Sequence, residues 1–223
     1  MTSDILGRFA HYARRHGLTA TLWRILVGTG RTLRGTRLIL FGCDLGSLEA
    51  AEVARPTGRT IERKSAVTDL DPEDLARVEN VGYAKVVRRQ ISKRFAQGAS
   101  LWLCRVESQV AAYGWTLTGQ TMVPHFFPLC PGDVHLFDFY VFPEFRGQRL
   151  NPSLVMQILK TLAAESKGRA FIEAAEWNAP QLHSVAKMPF QKLGYARKYC
   201  FFGRTIVIWS GGPVSAGSSG GKP

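Results

Sequence analysis

Hydrophobic residues recur along this chain with two different periods, and each period predicts one kind of element. Short apolar or alternating runs indicate strands, because successive side chains of a strand point to opposite faces. Strands are predicted over 37–43, 100–106, 109–118, 134–142, 169–175, 195–202 and 204–209. Residues spaced for one face of a helix predict helices over 72–79, 85–95 and 152–165, and another that begins at Asn178 and is broken at Met188–Pro189.

Composition and pattern divide the chain into three parts. Residues 1–36 are a basic amphipathic helical extension, residues 37–210 the main domain, and residues 211–223 a flexible tail rich in glycine and serine. From Asp4 to Arg37 there are seven arginines and one acidic residue. Two interpretations stay open. In the first, the apolar stripe packs on the main domain or on a second subunit, which would give a homodimer. In the second, the segment lies on an anionic membrane with its arginines toward the head groups.

The overall composition narrows the class of protein. With 223 residues, of which 45% are hydrophobic, the chain can bury a sizeable core. It lacks an apolar run of about 18 residues and a secretory signal, so we expect a cytoplasmic protein, peripheral to the membrane if the extension binds lipid. Four scattered cysteines predict reduced thiols and no metal site. The net charge of +12 suits nucleic acid, but no basic motif with an aromatic stacking platform accompanies it, so that partner is not favoured.

The turn from Pro143 to Pro152 is the stretch with the clearest chemistry. It follows an aromatic and branched strand, and Asn151 suits a helix cap with Pro152 at the first helical position. Such a helix start presents unpaired N–H groups and the positive end of the helix dipole. With Arg146 and Arg149 beside it, the turn favours a phosphate or pyrophosphate. On its own, it fits an exposed loop with two solvated arginines equally well.

The residues around this turn resemble a known family. The run V-F-P-E-F-R-G at 141–147 is similar to the V-x-P-E-Y-R-G segment that leads into the acyl-CoA pyrophosphate loop of GCN5-related N-acetyltransferases (GNAT). Further on, 172–175 matches the family's next strand, Asn178 opens the following helix, and K-L-G-Y at 192–195 stands where the family has K-x-G-F. The resemblance covers about 100–209 and implies a mixed α/β, GNAT-like fold: a twisted, mostly antiparallel sheet with helices on both faces.

The resemblance also implies a function. An acetyl or other acyl group would pass from acetyl-CoA or another acyl-CoA to an amine, or less readily a hydroxyl, of a small-molecule, lipid-linked or sugar-linked acceptor. By the same resemblance, a backbone N–H near Val141 would polarise the thioester carbonyl. The residues implied to bind the co-substrate are Val141, Arg146, Gly147, Gln148, Arg149, Leu150, Asn151, Asn178 and Ser184.

Three residues depart from the family pattern. Arg149 and Asn151 stand where the loop usually has small residues, and glycine there lets the backbone approach a ligand closely. Phe190 occupies the position of the tyrosine that often protonates the leaving thiolate, and a phenyl ring has no proton to give. An enzyme with these residues needs another acid or releases the thiolate unaided. The alternative function is a noncatalytic GNAT-fold module that binds a membrane surface or a protein.

Two residues of strand 134–142 are candidate catalytic bases. His135 is spaced from Val141 as the glutamate base is in some histone-type members of the family, and its ordinary pKa suits proton removal near neutral pH. Asp138 is the second candidate. Strand alternation puts the two side chains on opposite faces, so we expect one site to contain only one of them. A structural role for either residue remains open, as does an approach of His183 and Ser184 to the pantetheine or thiolate.

Overall fold

A single sheet organises the part of the chain that the computed structural model describes, residues 10, 12–14, 17–23, 35–48, 58–122, 126–165, 168–201 and 204–211. Its strands are β1 (Thr36–Asp44), β2 (Arg59–Lys64), β3 (Ser100–Val106), β4 (Gln109–Thr118), β5 (Val134–Val141), β6 (Arg169–Ala175), β7 (Gln191–Phe201) and β8 (Arg204–Gly211). Their order across the sheet is β2-β3-β4-β5-β6-β1-β7-β8. β5 and β6 pair in parallel and the other neighbours pair antiparallel. The flexible tail predicted for 211–223 falls, apart from Gly211, outside the described residues.

Helices cover both faces of this sheet. They are α1 (Pro72–Glu79), α2 (Ala84–Ala96), α3 (Leu150–Glu165) and α4 (Ala179–Val185), and residues 18–23 are also helical. α1 and α2 enclose one core with β3, β4 and the end of β5, while α3 encloses a second core on the other side. The predicted mixed α/β architecture with a mostly antiparallel sheet is therefore confirmed.

α3 forms where an apolar stripe recurs at helical spacing, and all five predicted positions of that stripe are buried: Leu154, Val155, Ile158, Leu159 and Leu162. Burial of each such side chain stabilises the fold by about 1.5–3 kcal/mol. The helix begins at Leu150, two residues before the predicted start. The N–H of Ser153 donates to the carbonyl of Arg149 (3.3 Å), so Pro152 lies inside the first turn, where its missing N–H is not needed.

The predicted strands before 180 match the observed ones to within about one residue, as expected for such assignments. β2 was not predicted, because four of its six residues are charged and it lies at the edge of the sheet, paired with β3. β7 begins at Gln191 rather than residue 195, because its first residues pair with β1. β1 lies between β6 and β7, so it belongs to the middle of the sheet.

Three of the four cysteines can be described, and all three are free thiols. Cys43 and Cys104 are buried, whereas Cys130 is exposed. Burial raises the pKa of both buried thiols, to about 11 for Cys43. These two side chains stay protonated near neutral pH and behave as small apolar residues.

Gly114 allows an extra residue to fit into β5. Tyr113 pairs with Tyr140 and Trp115 with Phe137, so β5 has one residue more than β4 between the same two points. This is a β-bulge. A Cβ on Gly114 would lie 2.2 Å from a ring carbon of Phe139, which occupies that space. Gly114 therefore lies opposite the bulge, and its missing side chain leaves room for the Phe139 ring.

We expect Gly114→Ala to lower the free energy of unfolding by about 1–3 kcal/mol, because the added methyl overlaps the Phe139 ring. Urea unfolding measures the change. The matched control is the same substitution in a Phe139→Ala background, where the space is open and the cost should fall below about 0.5 kcal/mol. An equal loss of unfolding free energy in both backgrounds would show that the Phe139 ring does not require glycine at position 114.

Candidate functional site

β5 separates from β6 partway along its length. The parallel pairing joins Val134–Leu136 to Ala170–Ile172, while β5 stays paired with β4 as far as Val141. Beyond Leu136, the edge of β5 that faces β6 is therefore open in the described sheet. A gap between two strands exposes unpaired backbone groups, which is where an extended ligand can bind the main chain.

The backbone of Val141 faces this gap. The N–H of Phe142 donates to the carbonyl of Ala111 in β4 (3.0 Å). Because successive N–H groups of a strand point to opposite edges, the N–H of Val141 points away from β4 and into the gap. Its carbonyl accepts a hydrogen bond from Nε of Arg146 (3.3 Å). A donor aimed into a gap beside an arginine suits a developing oxyanion.

The turn after β5 is held in a left-handed backbone conformation at two residues. Gly147 has φ +81° and Arg149 has φ +57°. All four residues from Arg146 to Arg149 are exposed, and helix α3 follows directly. Left-handed residues in a turn align successive N–H groups toward one point, which forms a concave site for an anion. Arg149 therefore adopts the backbone conformation that a glycine would supply, although it has a side chain.

Neighbouring elements fix this turn in place. Nε of Arg77 in α1 donates to the carbonyl of Val110 (2.7 Å), and its Nη2 donates to the Glu144 carboxylate (2.5 Å). Arg59 of β2 donates to the carbonyl of Gln148 (3.2 Å). The turn thus has contacts to both α1 and the edge of the sheet. Arg59 also adds a third guanidinium beside Arg146 and Arg149.

Two of the predicted co-substrate residues meet where α3 and α4 approach each other. Nδ2 of Asn151 donates to Oγ of Ser184 (3.0 Å). The other amide atom of Asn151, Oδ1, is buried and has no hydrogen-bond partner among the described residues. Asn178 is used differently: its Oδ1 accepts from the N–H of Gln181 (3.3 Å) and caps α4. Asn151 and Ser184 therefore lie next to the turn, while the Asn178 side chain stabilises a helix start.

His135 is buried on β5 and is paired with a carboxylate. Its Nε2 lies 2.7 Å from Oε2 of Glu173 on β6, and its ring stacks on Phe137 with centroids 5.2 Å apart. A carboxylate on one ring nitrogen fixes the orientation of an imidazole and stabilises its protonated form. The pair spans the stretch in which β5 and β6 are still joined.

Asp138 lies on the same face as His135, so the expectation of opposite faces is wrong. Asp138 is the left-handed residue of the bulge, with φ +51°. Arg94 of α2 donates to its carboxylate (2.5 Å), and that guanidinium also lies over the rings of Trp115 and Phe137. The extra residue cancels the alternation after Phe137. Both candidate bases therefore face the side covered by α1 and α2.

Sequence reasoning missed two groups at this site, Glu173 and the stacked pair Tyr113–Tyr140, and it did not distinguish Arg94 from its basic neighbours. Burial, followed by the charge of Asp138, raises the pKa of Tyr113, which keeps its phenol protonated. Glu173 is the one acid of an otherwise apolar strand, FIEAA, and that is the signal that predicts a buried partner. Arg94 is one of five basic residues on α2, so no local pattern distinguishes it.

Three further residues lie around the site. Phe190 packs against the α3 core, and His183 is exposed on α4. In the apolar loop before β5, Phe127 contacts the rings of Phe171 (5.2 Å) and Trp209 (5.9 Å). The described part of that loop therefore packs on the sheet beside β6.

Solved structures share the fold of this chain. An acetyltransferase of the GNAT family from Colwellia psychrerythraea has a TM-score of 0.51 and 11% sequence identity, over 84% of this chain and 62% of that one. A tandem GNAT protein from the clavulanic acid biosynthesis pathway, solved without AcCoA, has a TM-score of 0.50 and 15% identity, over 71% of this chain and 50% of that one. The chain thus spans less than two thirds of the length of either structure.

No protein-family model matches the sequence, and neither does any curated protein. At identities of 11% and 15%, the structural similarity establishes the fold. The chain has the fold of these GNAT-family structures, which is the fold that the resemblance at 141–147 implies.

Arg149→Gly should raise the free energy of unfolding by about 0.5–1 kcal/mol, because glycine adopts positive φ without the strain of a Cβ. Arg149→Ala is the matched control, since it also removes the guanidinium but keeps the Cβ and should give no gain. Urea unfolding of the three proteins measures the difference. Equal stability of the glycine and alanine variants would contradict a left-handed Arg149.

Proposed function

We propose that this chain, whose fold is that of the GNAT superfamily, transfers an acetyl or other acyl group from acyl-CoA to an amine. The observation that carries the proposal is the open edge of β5, where the N–H of Val141 faces a gap that extends from Leu136 to the Arg146 turn. A donor for the carbonyl and a basic turn for the phosphates then lie on one strand and the turn that follows it.

The turn fits the pyrophosphate of acyl-CoA. Gly147 and Arg149 are left-handed, the residues from Arg146 to Arg149 that lead into α3 are exposed, and the space where a Cβ of Gly147 would lie is open within 4 Å. Arg146 and Arg149 supply the charge, and the N–H groups from Gln148 to Asn151 supply directional donors. Bound there, acyl-CoA supplies the activated thioester, and its pantetheine arm extends along the open edge of β5.

Each group at the site has a different role in the acyl transfer. A neutral amine attacks the thioester carbonyl, and the Val141 N–H stabilises the oxygen as it becomes negative. The carbon–sulfur bond then breaks and the thiolate leaves. One proton must leave the amine, and one must reach the thiolate. Because Phe190 has no acidic proton, we assign the second proton to solvent at the open edge.

The paired His135 and Glu173 are the first candidates for removing the amine proton. The carboxylate would stabilise the imidazolium that forms when His135 takes that proton, directly or through a water. Asp138 is the second candidate, since its side chain faces the same side and is about half exposed. Its carboxylate already accepts a hydrogen bond from Arg94, which makes His135 the first choice as the base, and its exposed part suits contact with a cationic acceptor.

Calorimetric titration with acetyl-CoA and with a longer acyl-CoA tests binding. We expect saturable binding that Arg146→Ala weakens by about 10- to 100-fold, because a charge-assisted hydrogen bond contributes about 1.5–3 kcal/mol. The matched control is Arg197→Ala, because Arg197 is an exposed arginine on β7. This variant should bind acyl-CoA as tightly as the unmodified chain. If folded protein binds neither thioester, the proposal fails and a noncatalytic binding module becomes the better interpretation.

Release of free CoA thiol with a panel of amine acceptors tests the base. We expect His135→Asn to lower kcat by about 100-fold or more with little change in the KM for acyl-CoA, and Glu173→Gln to lower it by about tenfold. Asp138→Asn is the comparison at the neighbouring position. Circular dichroism checks that each variant folds. If His135→Asn keeps full kcat while Asp138→Asn loses it, Asp138 is the base instead.

A further inference from the structure

The helix at 18–23 exposes apolar side chains and buries a polar one, which is the reverse of an ordinary surface helix. Leu18, Leu22 and Trp23 are 74%, 65% and 68% exposed, whereas Thr21 is 6% exposed. A surface helix normally buries its large apolar residues and exposes its polar ones. One exposed leucine is common, but three large apolar side chains on less than two turns form an apolar face that needs a partner.

The charge around this face restricts the partner. From Asp4 to Arg37 the sequence has seven arginines against one acidic residue, and the whole chain carries a net charge of +12. Arg14, the last of the helical residues 12–14 that precede this helix, is exposed. An apolar face within a strongly basic segment matches a surface that is both anionic and apolar, and tryptophan favours the boundary between lipid head groups and acyl chains.

We propose that the basic segment from Asp4 to Arg37 binds the surface of an anionic membrane. Leu18, Leu22 and Trp23 would enter the head-group region, and the positive charge of the segment would be attracted to the lipid phosphates. The helix lies in the plane of the membrane, and no described helix is long and apolar enough to cross one. The inference goes beyond acyl transfer and does not depend on it. A second copy of the chain is the competing occupant of the same apolar face.

Vesicle flotation of the full chain tests the proposal. We expect binding to phosphatidylcholine vesicles that contain roughly 30 mol% phosphatidylglycerol, weaker binding to pure phosphatidylcholine, and loss of binding as salt rises. The combined variant Leu18→Ser, Leu22→Ser, Trp23→Ser should bind at least about tenfold more weakly. The matched control is Ile206→Ser with Ile208→Ser, which removes two other exposed large apolar side chains (54% and 56%) from β8 and should leave binding unchanged.

Three outcomes would overturn the membrane assignment. One is equal binding of the triple variant and the unmodified chain, since the apolar face would then play no part. Another is the same loss in the Ile206 and Ile208 control. The third is sedimentation that shows a dimer which the triple variant abolishes, without vesicle binding, because a second copy would then occupy the face.

Discussion

The candidate site depends on one constraint: β5 stays bonded to β4 along its length but leaves β6 after Leu136. In the middle of a sheet, both edges of a strand are normally paired. Here one edge is released, and the backbone groups of Val141 face the gap. The β-bulge at Asp138 lies in the same stretch, and bulges increase the local bend of a strand. Gly114 makes room for the bulge on β5, and the bulge lies in the stretch of β5 whose other edge is open.

Much of the fold could be predicted from the sequence, because patterns with a strict period survive packing. The apolar stripe of α3 and the aromatic run of β5 are examples, and both are confirmed. β2 could not be predicted in this way. Its charged residues are tolerated because it is an edge strand, and pairing with β3, rather than burial, determines its structure.

The site was predictable where it is local and not where it depends on distant strands. The turn around Arg146 follows from contiguous residues. The pairing of His135 with Glu173 joins two strands through the sheet order, and the orientation of Asp138 depends on a bulge that a two-residue period does not contain. A single inserted residue reverses the side of every later side chain on a strand, so simple alternation gave the wrong face for Asp138.

The central place of β1 has a consequence for how the chain reaches this structure. β1 precedes the other strands in the sequence, yet its partners are β6 and β7, so that Leu38 pairs with both Ala175 and Ala196. Both strands that pair with β1 in the native sheet are therefore synthesised only after most of the domain has been made. Contacts between residues so far apart in sequence close large loops, and folds that depend on them form slowly. We therefore expect the part of the sheet from β6 to β8 to form late in folding, when β6 and β7 are available to pair with β1, the first strand of the domain in the sequence.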